Sequence, residues 1–218
     1  MAFPTNPSDN QDYNNYKYNS SLGAWVDPES LLFPSDIVSL NYGTFYGSSS
    51  ILFNEFTGSI DLDGSSYVEF ENPPDGLSDP SLWGQLTISI WIYIKSGYYI
   101  FSTGSQTNSR GVSVSHQNGV RSVSLKDGSK TWDINGAWQT NKWTHICLWW
   151  DGVTLKFYED NNLISQSNGS NYTSNNEHLS LTVGVPNNVK DNYYLNGLVS
   201  NIRIYNRALS QNEIKTLY

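Results

Sequence analysis

The run Trp143-Thr-His-Ile-Cys-Leu-Trp-Trp150 constrains this chain more than any other stretch. Successive side chains of a β-strand point to opposite faces. Trp143, His145, Cys147 and Trp149 therefore share one face, and Thr144, Ile146, Leu148 and Trp150 the other. Both sets are mainly apolar, which predicts a strand covered on both sides. Asp151-Gly152 predicts a tight two-residue reversal. Val153 to Tyr158 then runs back, with Val153, Leu155 and Phe157 on one face, and Glu159-Asp-Asn-Asn162 predicts the next turn. This is the central hairpin of an all-β domain.

Leu86 to Ile94 repeats the pattern more plainly, with Leu86, Ile88, Ile90, Ile92 and Ile94 on one face and Thr87, Ser89, Trp91 and Tyr93 on the other. Further strands are expected at 51–53, 59–62, 67–70, 99–101, 111–115, 120–125, 179–183 and 198–205, separated by Gly, Asn, Ser and Pro turns. Residues 133–137 and 166–176 read as polar loops. Leu77 to Gly84 has room for one helical turn. Ser210 with Glu213 three residues on forms a capping box for a helix at 211–217. About a dozen short strands without βαβ alternation predict an antiparallel two-sheet jelly-roll sandwich with a short C-terminal helix.

Composition narrows the function classes. Only 15% of the residues are charged and the formal net charge is −8, which argues against nucleic acid because phosphate neutralisation needs basic clusters. The single cysteine, Cys147, excludes an intrachain disulfide framework and reads as a small buried hydrophobe. No stretch approaches the roughly 20 apolar residues of a membrane helix, so no membrane insertion is expected. The N-terminus has neither the basic nor the apolar region of a secretory signal. The sequons at Asn19, Asn168 and Asn171 accordingly read as turn residues.

Residues 1–27 differ in character from the domain expected over 28–218. Tyr13, Tyr16 and Tyr18 lead through Asn19-Ser-Ser-Leu-Gly23 to Ala24-Trp25-Val26, a small aromatic hairpin. A lone hairpin is marginal in water and needs a surface to lie on. The pattern Phe3-Pro-Thr-Asn-Pro7, Gln11, Tyr16-Lys-Tyr18 and Ser21-Leu-Gly-Ala-Trp25 resembles the leader segments of tailed-phage structural proteins such as fibres and appendages. The resemblance implies a docking arm carrying Tyr13, Tyr16, Tyr18 and Trp25, with other virion proteins (capsid or tail) as partners.

A second resemblance covers roughly residues 50–218. Ile60-Asp-Leu-Asp-Gly-Ser-Ser-Tyr-Val68, Leu86-Thr-Ile-Ser-Ile-Trp91, Trp143-Thr-His145 before Asp151-Gly152, Leu181-Thr-Val-Gly184, and Asn196 to Ser210 followed by Glu213-Ile214 occur in the order of the LamG-like (concanavalin A-like) lectin/glucanase jelly roll. Members pack two curved antiparallel sheets, and a concave face or its rim loops often bind glycans. The superfamily also holds glycosidases, so fold alone does not settle function.

Glycosidases resembling this fold carry two carboxylates across the sugar, in a Glu-x-Asp-x-x-Glu type of run. This chain has none: Asp61 and Asp63 end at a glycine turn, and Glu69 and Glu71 lead into Pro73-Pro74. A non-enzymatic protein is expected. His116, His145 and His178 share no metal-ligand spacing, and His145 reads as a hydrogen-bonded structural residue. Oxygen ligands suit calcium, which the resemblance leaves open at Asp61 and Asp63. A solvated turn explains both residues too, and Ser200-Asn201 stand where family members often carry an acid.

Sugar binding needs aromatic platforms for the pyranose face and fixed polar groups for the hydroxyls. Tyr98, Tyr99, Trp132, Trp138, Tyr172, Tyr193 and Tyr194 fall in or beside expected loops, with Asn135, Asn171, Asn187 and Asn192 near them in sequence. Core lids and an oligomer interface are the other uses of such residues. Trp91, Trp143 and Trp149 read as core. The expectation is a homo-oligomeric virion protein, a capsid decoration or tail appendage, presenting a lectin-like domain to glycans. The alternative is an extracellular bacterial protein that binds or cleaves carbohydrate.

Overall fold

A computed structural model describes residues 12–13, 16–19, 24–26, 44–47, 50–53 and 58–218, apart from 72, 74, 104–109, 118, 128–130, 170–171, 173–179 and 188–191. Three short strands, β1 (Asp12–Tyr13), β2 (Tyr16–Asn19) and β3 (Ala24–Val26), pair antiparallel as a three-stranded sheet. The expected hairpin is thus β2–β3 with one more strand added. The side chains of Tyr13, Tyr16, Tyr18 and Trp25 lie outside the described residues, as does the stretch 31–43.

The remaining strands form two seven-stranded antiparallel sheets. They are β4 (Thr44–Tyr46), β5 (Ser50–Phe53), β6 (Gly58–Asp63), β7 (Tyr67–Phe70), β8 (Leu86–Gly97), β9 (Tyr99–Ser102), β10 (Arg110–Gln117), β11 (Val120–Asp127), β12 (Thr131–Ala137), β13 (Trp143–Trp150), β14 (Thr154–Glu159), β15 (Asn162–Asn168), β16 (Leu181–Val183) and β17 (Leu195–Tyr205). The first sheet runs β12-β11-β10-β9-β16-β7-β4 and the second β15-β14-β13-β8-β17-β6-β5. This is a concanavalin A-like jelly-roll sandwich. One helical turn, α1 (Asp75–Ser78), and the C-terminal helix α2 (Gln211–Leu217) complete it.

Alternation in the sequence translates directly into layers. Ile88, Ile90, Ile92 and Ile94 of β8 and Ile146, Leu148 and Trp150 of β13 face inward and are buried. Across the core they meet the layer built from Phe101, Val112, Val114, Val123, Leu125, Leu181 and Val183. Each such side chain contributes about 1.5–3 kcal/mol by leaving water. The outer face of β13 is covered too: Cys147, Tyr158, Tyr205, Leu209, Ile214 and Leu217 form a second cluster with Trp149 against it, so α2 lies on this sheet. Burial pushes the Cys147 thiol up, far from reactivity. At the start of α2 the Ser210 hydroxyl accepts from the Glu213 N–H, and Glu213 accepts from the Ser210 N–H at 2.7 Å. Arg207 holds the same carboxylate through both oxygens, at 2.8 and 3.1 Å.

Three expectations shift. The β13–β14 reversal is centred on Gly152-Val153: Asp151 donates to the Thr154 carbonyl at 3.3 Å, and the Asp151 carboxylate accepts from the Val153 and Thr154 N–H groups. Val153 therefore sits in the turn, 43% exposed. Residues 133–137 are not a loop but most of strand β12, with Trp132 and Ile134 inward and Asp133 and Asn135 outward. Asp, Asn and Gly suggested a turn, but an edge strand tolerates them. Strand β15 was also unexpected, since Asn, Ser and Gln dominate it. It forms because Asp160 and Asn161 adopt φ of 47° and 63°, the left-handed pair that closes a two-residue hairpin.

Candidate functional site

The site grows from one glycine. Gly97 ends β8 with φ 99°, and a Cβ there would stand 2.2 Å from the Tyr194 carbonyl oxygen. Only glycine lets the β8–β9 turn approach the segment before β17 so closely. Backbone bonds then staple the two together: Tyr98 N–H to Tyr194 O at 3.1 Å and Tyr99 N–H to Tyr193 O at 3.2 Å. Leu195 N–H also reaches Gly184 O at 2.8 Å.

This stapling brings together four residues that lie almost a hundred positions apart, Tyr98 and Tyr99 with Tyr193 and Tyr194. Tyr98 and Tyr193 meet edge to face, 5.2 Å between centroids. Tyr193 is 49% exposed and holds φ 66°, a conformation that bulky residues rarely adopt. Tyr194 lies 6.3 Å from Tyr67, which stacks on Tyr46 at 4.6 Å with ring planes 7° apart. Tyr99 points outward from β9 opposite Ser115, and burial, then the nearby Tyr193, push its phenol up. Tyr46 and Tyr67 were not anticipated. Alternation alone puts Tyr67 and Glu69 on one outward face, but their partners come from the long-range pairings of β4, β7 and β16.

Polar groups adjoin the rings on the same face. Glu69 lies on the outer face of β7 but is covered there, only 6% exposed, and its carboxylate accepts from the Ser180 hydroxyl at 2.5 Å. The Asn187 amide donates to the Ser180 carbonyl, and its N–H reaches the Ser102 hydroxyl at 3.5 Å. The Thr182 hydroxyl donates to the Val185 carbonyl at 2.8 Å. These bonds tie residues 185–187 to the sheet beside the tyrosines. Asn192, just before Tyr193, is exposed, and Asn171 lies outside the described residues.

The other sequence-derived candidates fall elsewhere. Trp132 is wholly buried, donates its indole N–H to Val153 O at 3.0 Å, and stacks on Tyr172 at 6.0 Å. A Cβ at residue 169 would fall 1.9 Å from the Trp132 indole nitrogen, so Gly169 marks how tightly that end is closed. Tyr172 is 8% exposed, and its hydroxyl donates to Lys126 O at 2.6 Å. Trp138 is buried against Phe157 and His116. None of these three rings offers a face to a sugar; they are lids of the core. Asn135 is exposed on β12, three strands from β9. Trp91, Trp143 and Trp149, expected in the core, are instead half-buried on the outer face of the second sheet. Trp91 stacks with Tyr218 at 5.7 Å, and the Trp149 indole donates to Leu209 O at 2.7 Å.

The carboxylates are dispersed. Asp61 faces outward on the second sheet, 3.8 Å from Lys95, whereas Glu69 faces outward on the first. Asp63 accepts from the Ser65 N–H and hydroxyl, both at 2.9 Å, and these bonds with those of Ser66 hold its carboxyl below the ordinary range. The geometry assigns Asp61 to an ion pair and Asp63 to a turn. Among the described residues no group of three His, Cys, Asp or Glu comes together as a metal site would require. His145 is fully buried, shares a 2.8 Å hydrogen bond between Nε2 and the Ser89 hydroxyl, and has its pKa pushed down to about 4 by burial. It is structural, as its strand position implied. No helix among the described residues is long and apolar enough to cross a membrane.

A family comparison matches residues 62–215, most of the chain, to the concanavalin A-like lectin/glucanases superfamily. The chain belongs to this superfamily. No curated protein matches it. Among solved structures it is similar to the binding domain of botulinum neurotoxin DC in complex with SialylT, with a TM-score of 0.66 and 17% identity over 84% of this chain and 50% of that one. A structure of botulinum neurotoxin type C, described as entering cells through two ganglioside molecules, superposes with a TM-score of 0.65 at 16% identity, with the same coverage. The receptor-binding domain of the mosaic serotype C/D gives 0.67 at 17% over 90% of this chain and 48% of that one. The chain spans about half the length of these domains, and the likeness is one of fold.

Proposed function

We propose that this lectin-like chain is a non-enzymatic glycan-binding module carried on a virus particle, with the N-terminal strands as its attachment and the tyrosine cluster as its sugar site. The observation that carries the glycan reading is Tyr193: a large ring held half in solvent at a left-handed φ, braced edge-on by Tyr98. Strained backbone and an exposed aromatic cost stability, and such features concentrate where a loop binds something. Pyranose C–H faces stack on tyrosine rings, and the partly exposed Ser180 and Asn187 carry hydrogen-bonding groups for hydroxyls. The non-enzymatic reading is supported by the carboxylates: Asp61 and Glu69 lie on opposite sheets and cannot flank one glycosidic bond, which needs carboxyls about 5–9.5 Å apart. The virion placement is supported by the leader-like pattern of residues 1–27.

A glycan array probed with the native chain and with Tyr193→Ala and Tyr98→Ala tests the sugar site. Binding weakened about tenfold or more in each variant, with folding intact, is the expected result; binding unchanged in both would sink it. Deleting residues 1–27 and measuring incorporation into particles tests the attachment, and undiminished incorporation would refute that part.

A further inference from the structure

A buried histidine braces the turn that carries Tyr98. His116 of β10 is 4% exposed, and its backbone N–H donates to the Tyr98 carbonyl at 2.6 Å. Its ring spans two further backbone groups: Nδ1 lies 3.2 Å from the Gly97 carbonyl oxygen, and Nε2 lies 3.1 Å from the Gly119 nitrogen. A carbonyl can only accept and a backbone N–H can only donate. Nδ1 must therefore carry the proton and Nε2 the lone pair, which is one tautomer of the neutral imidazole. The charged ring has a proton on both nitrogens and cannot accept from Gly119. The anchored segments are those that shape and support the site. Gly97 makes the close approach to Tyr194, and Tyr98 braces Tyr193. Gly119, between β10 and β11, accepts from the Trp138 N–H at 2.8 Å, and the Trp138 ring meets the His116 ring edge to face at 6.2 Å.

We propose that His116 is a positioning residue of the tyrosine site: the neutral ring holds the Gly97-Tyr98 turn in place, and protonation at Nε2 releases it, so that sugar is bound at neutral pH and let go in acid. This rests on the cluster being a sugar site. The surroundings favour release once the ring is charged. Arg121 of β11 stands opposite His116 in the strand pair, so an imidazolium there faces a like charge. The Arg121 guanidinium is itself engaged by the Ala137 carbonyl at 2.9 Å and, from β14, by Glu159 at 3.2 Å. Beyond Glu159, Lys142 and Asp160 pair with each other at 3.4 Å. The β8–β9 turn adds the phenols of Tyr98 and Tyr99, and the segment before β17 those of Tyr193 and Tyr194. Among the described residues no carboxylate is hydrogen-bonded to the His116 ring, so no counter-charge replaces the lost Gly119 bond.

Two readouts test this: the glycan array run from pH 8 to pH 5, and hydrogen exchange of the ligand-free chain over the same range, corrected for intrinsic rates. Binding that requires one site unprotonated falls by up to about tenfold per pH unit once that site titrates. The native chain should show such a fall with its far-UV circular dichroism unchanged. The Tyr98 and Tyr99 amides, which donate to Tyr194 and Tyr193, should lose protection over the same range while those of β13 keep theirs. His116→Gln, whose amide donates and accepts but takes up no proton, should bind at neutral pH with a flat profile. A purely structural role would lower binding at every pH alike. A flat native profile, a His116→Gln profile as steep as the native one, or Tyr98 and Tyr99 amides that stay protected in acid would each overturn the proposal. If no glycan binds at any pH while acid still frees those amides in the native chain and not in His116→Gln, the sugar reading fails and the histidine latch stands.

Discussion

Two sets of aromatic side chains, similar in sequence surroundings, end in opposite environments. Trp132, Trp138 and Tyr172 lie in polar stretches, yet they cover the core at the two ends of β12 with little or no exposure. Tyr98, Tyr99, Tyr193 and Tyr194 have equally polar neighbours, yet they form a half-exposed cluster with Tyr67 and Tyr46. The difference lies in where the backbone is stapled. Gly169 lets the chain fold over Trp132, whereas the Gly97 contact turns Tyr193 outward. An aromatic in a polar stretch is thus no indicator of a binding surface until the long-range contacts are known.

Breaking the buried set should cost most. Trp132→Ala removes a filled core position, its hydrogen bond to Val153 and its stack on Tyr172, and should lower unfolding free energy by about 3–5 kcal/mol in urea titration. A loss below about 1 kcal/mol would mean that this end is not core. Arg121 comes next: it joins β11 to Glu159 of the other sheet at 3.2 Å, and both side chains are largely buried. Arg121→Met strands that carboxylate and should cost about 3 kcal/mol. Glu159 would then titrate still higher, because burial already raises its pKa and Arg121 opposes that rise.

Acid should act through His145. Its folded pKa of about 4 lies below the ordinary 6.5, so between those values the unfolded chain takes up a proton that the folded chain refuses. Stability is therefore full above pH 6.5 and falls as pH drops toward 4, by about 3 kcal/mol for this group alone. His145→Gln should flatten that slope in melts taken at several pH values; an unchanged slope would assign it to other groups. Ser210→Ala, which removes the cap of α2, should cost about 1 kcal/mol. At the small end, Tyr193→Ala should change stability by less than about 0.5 kcal/mol while sugar binding is lost, because an exposed ring contributes little to folding. If Tyr193→Ala instead destabilised as much as Trp132→Ala, the contrast between the two sets would collapse.

Much of the sandwich was legible before any coordinates. Isoleucines at every second position from 88 to 94 allow one arrangement only, a strand with one face in the core. Ser210 and Glu213 specified the start of α2 because a capping box is a local interaction. Strands β12 and β15 escaped notice because edge strands lack a continuous apolar face, and their partners, not their composition, make them strands. Half of the proposed site was named in advance from loop tyrosines. Tyr46 and Tyr67 were not, since their meeting depends on β4 pairing with β7.

Local periodicity and capping determined most of the core strands, the hairpin Trp143–Tyr158 and the start of α2, because those signals act over a few residues. Which aromatic is buried and which meets solvent was decided only in three dimensions. Side-chain exposure is a property of distant backbone packing, here of Gly97 against Tyr194 and Gly169 against Trp132.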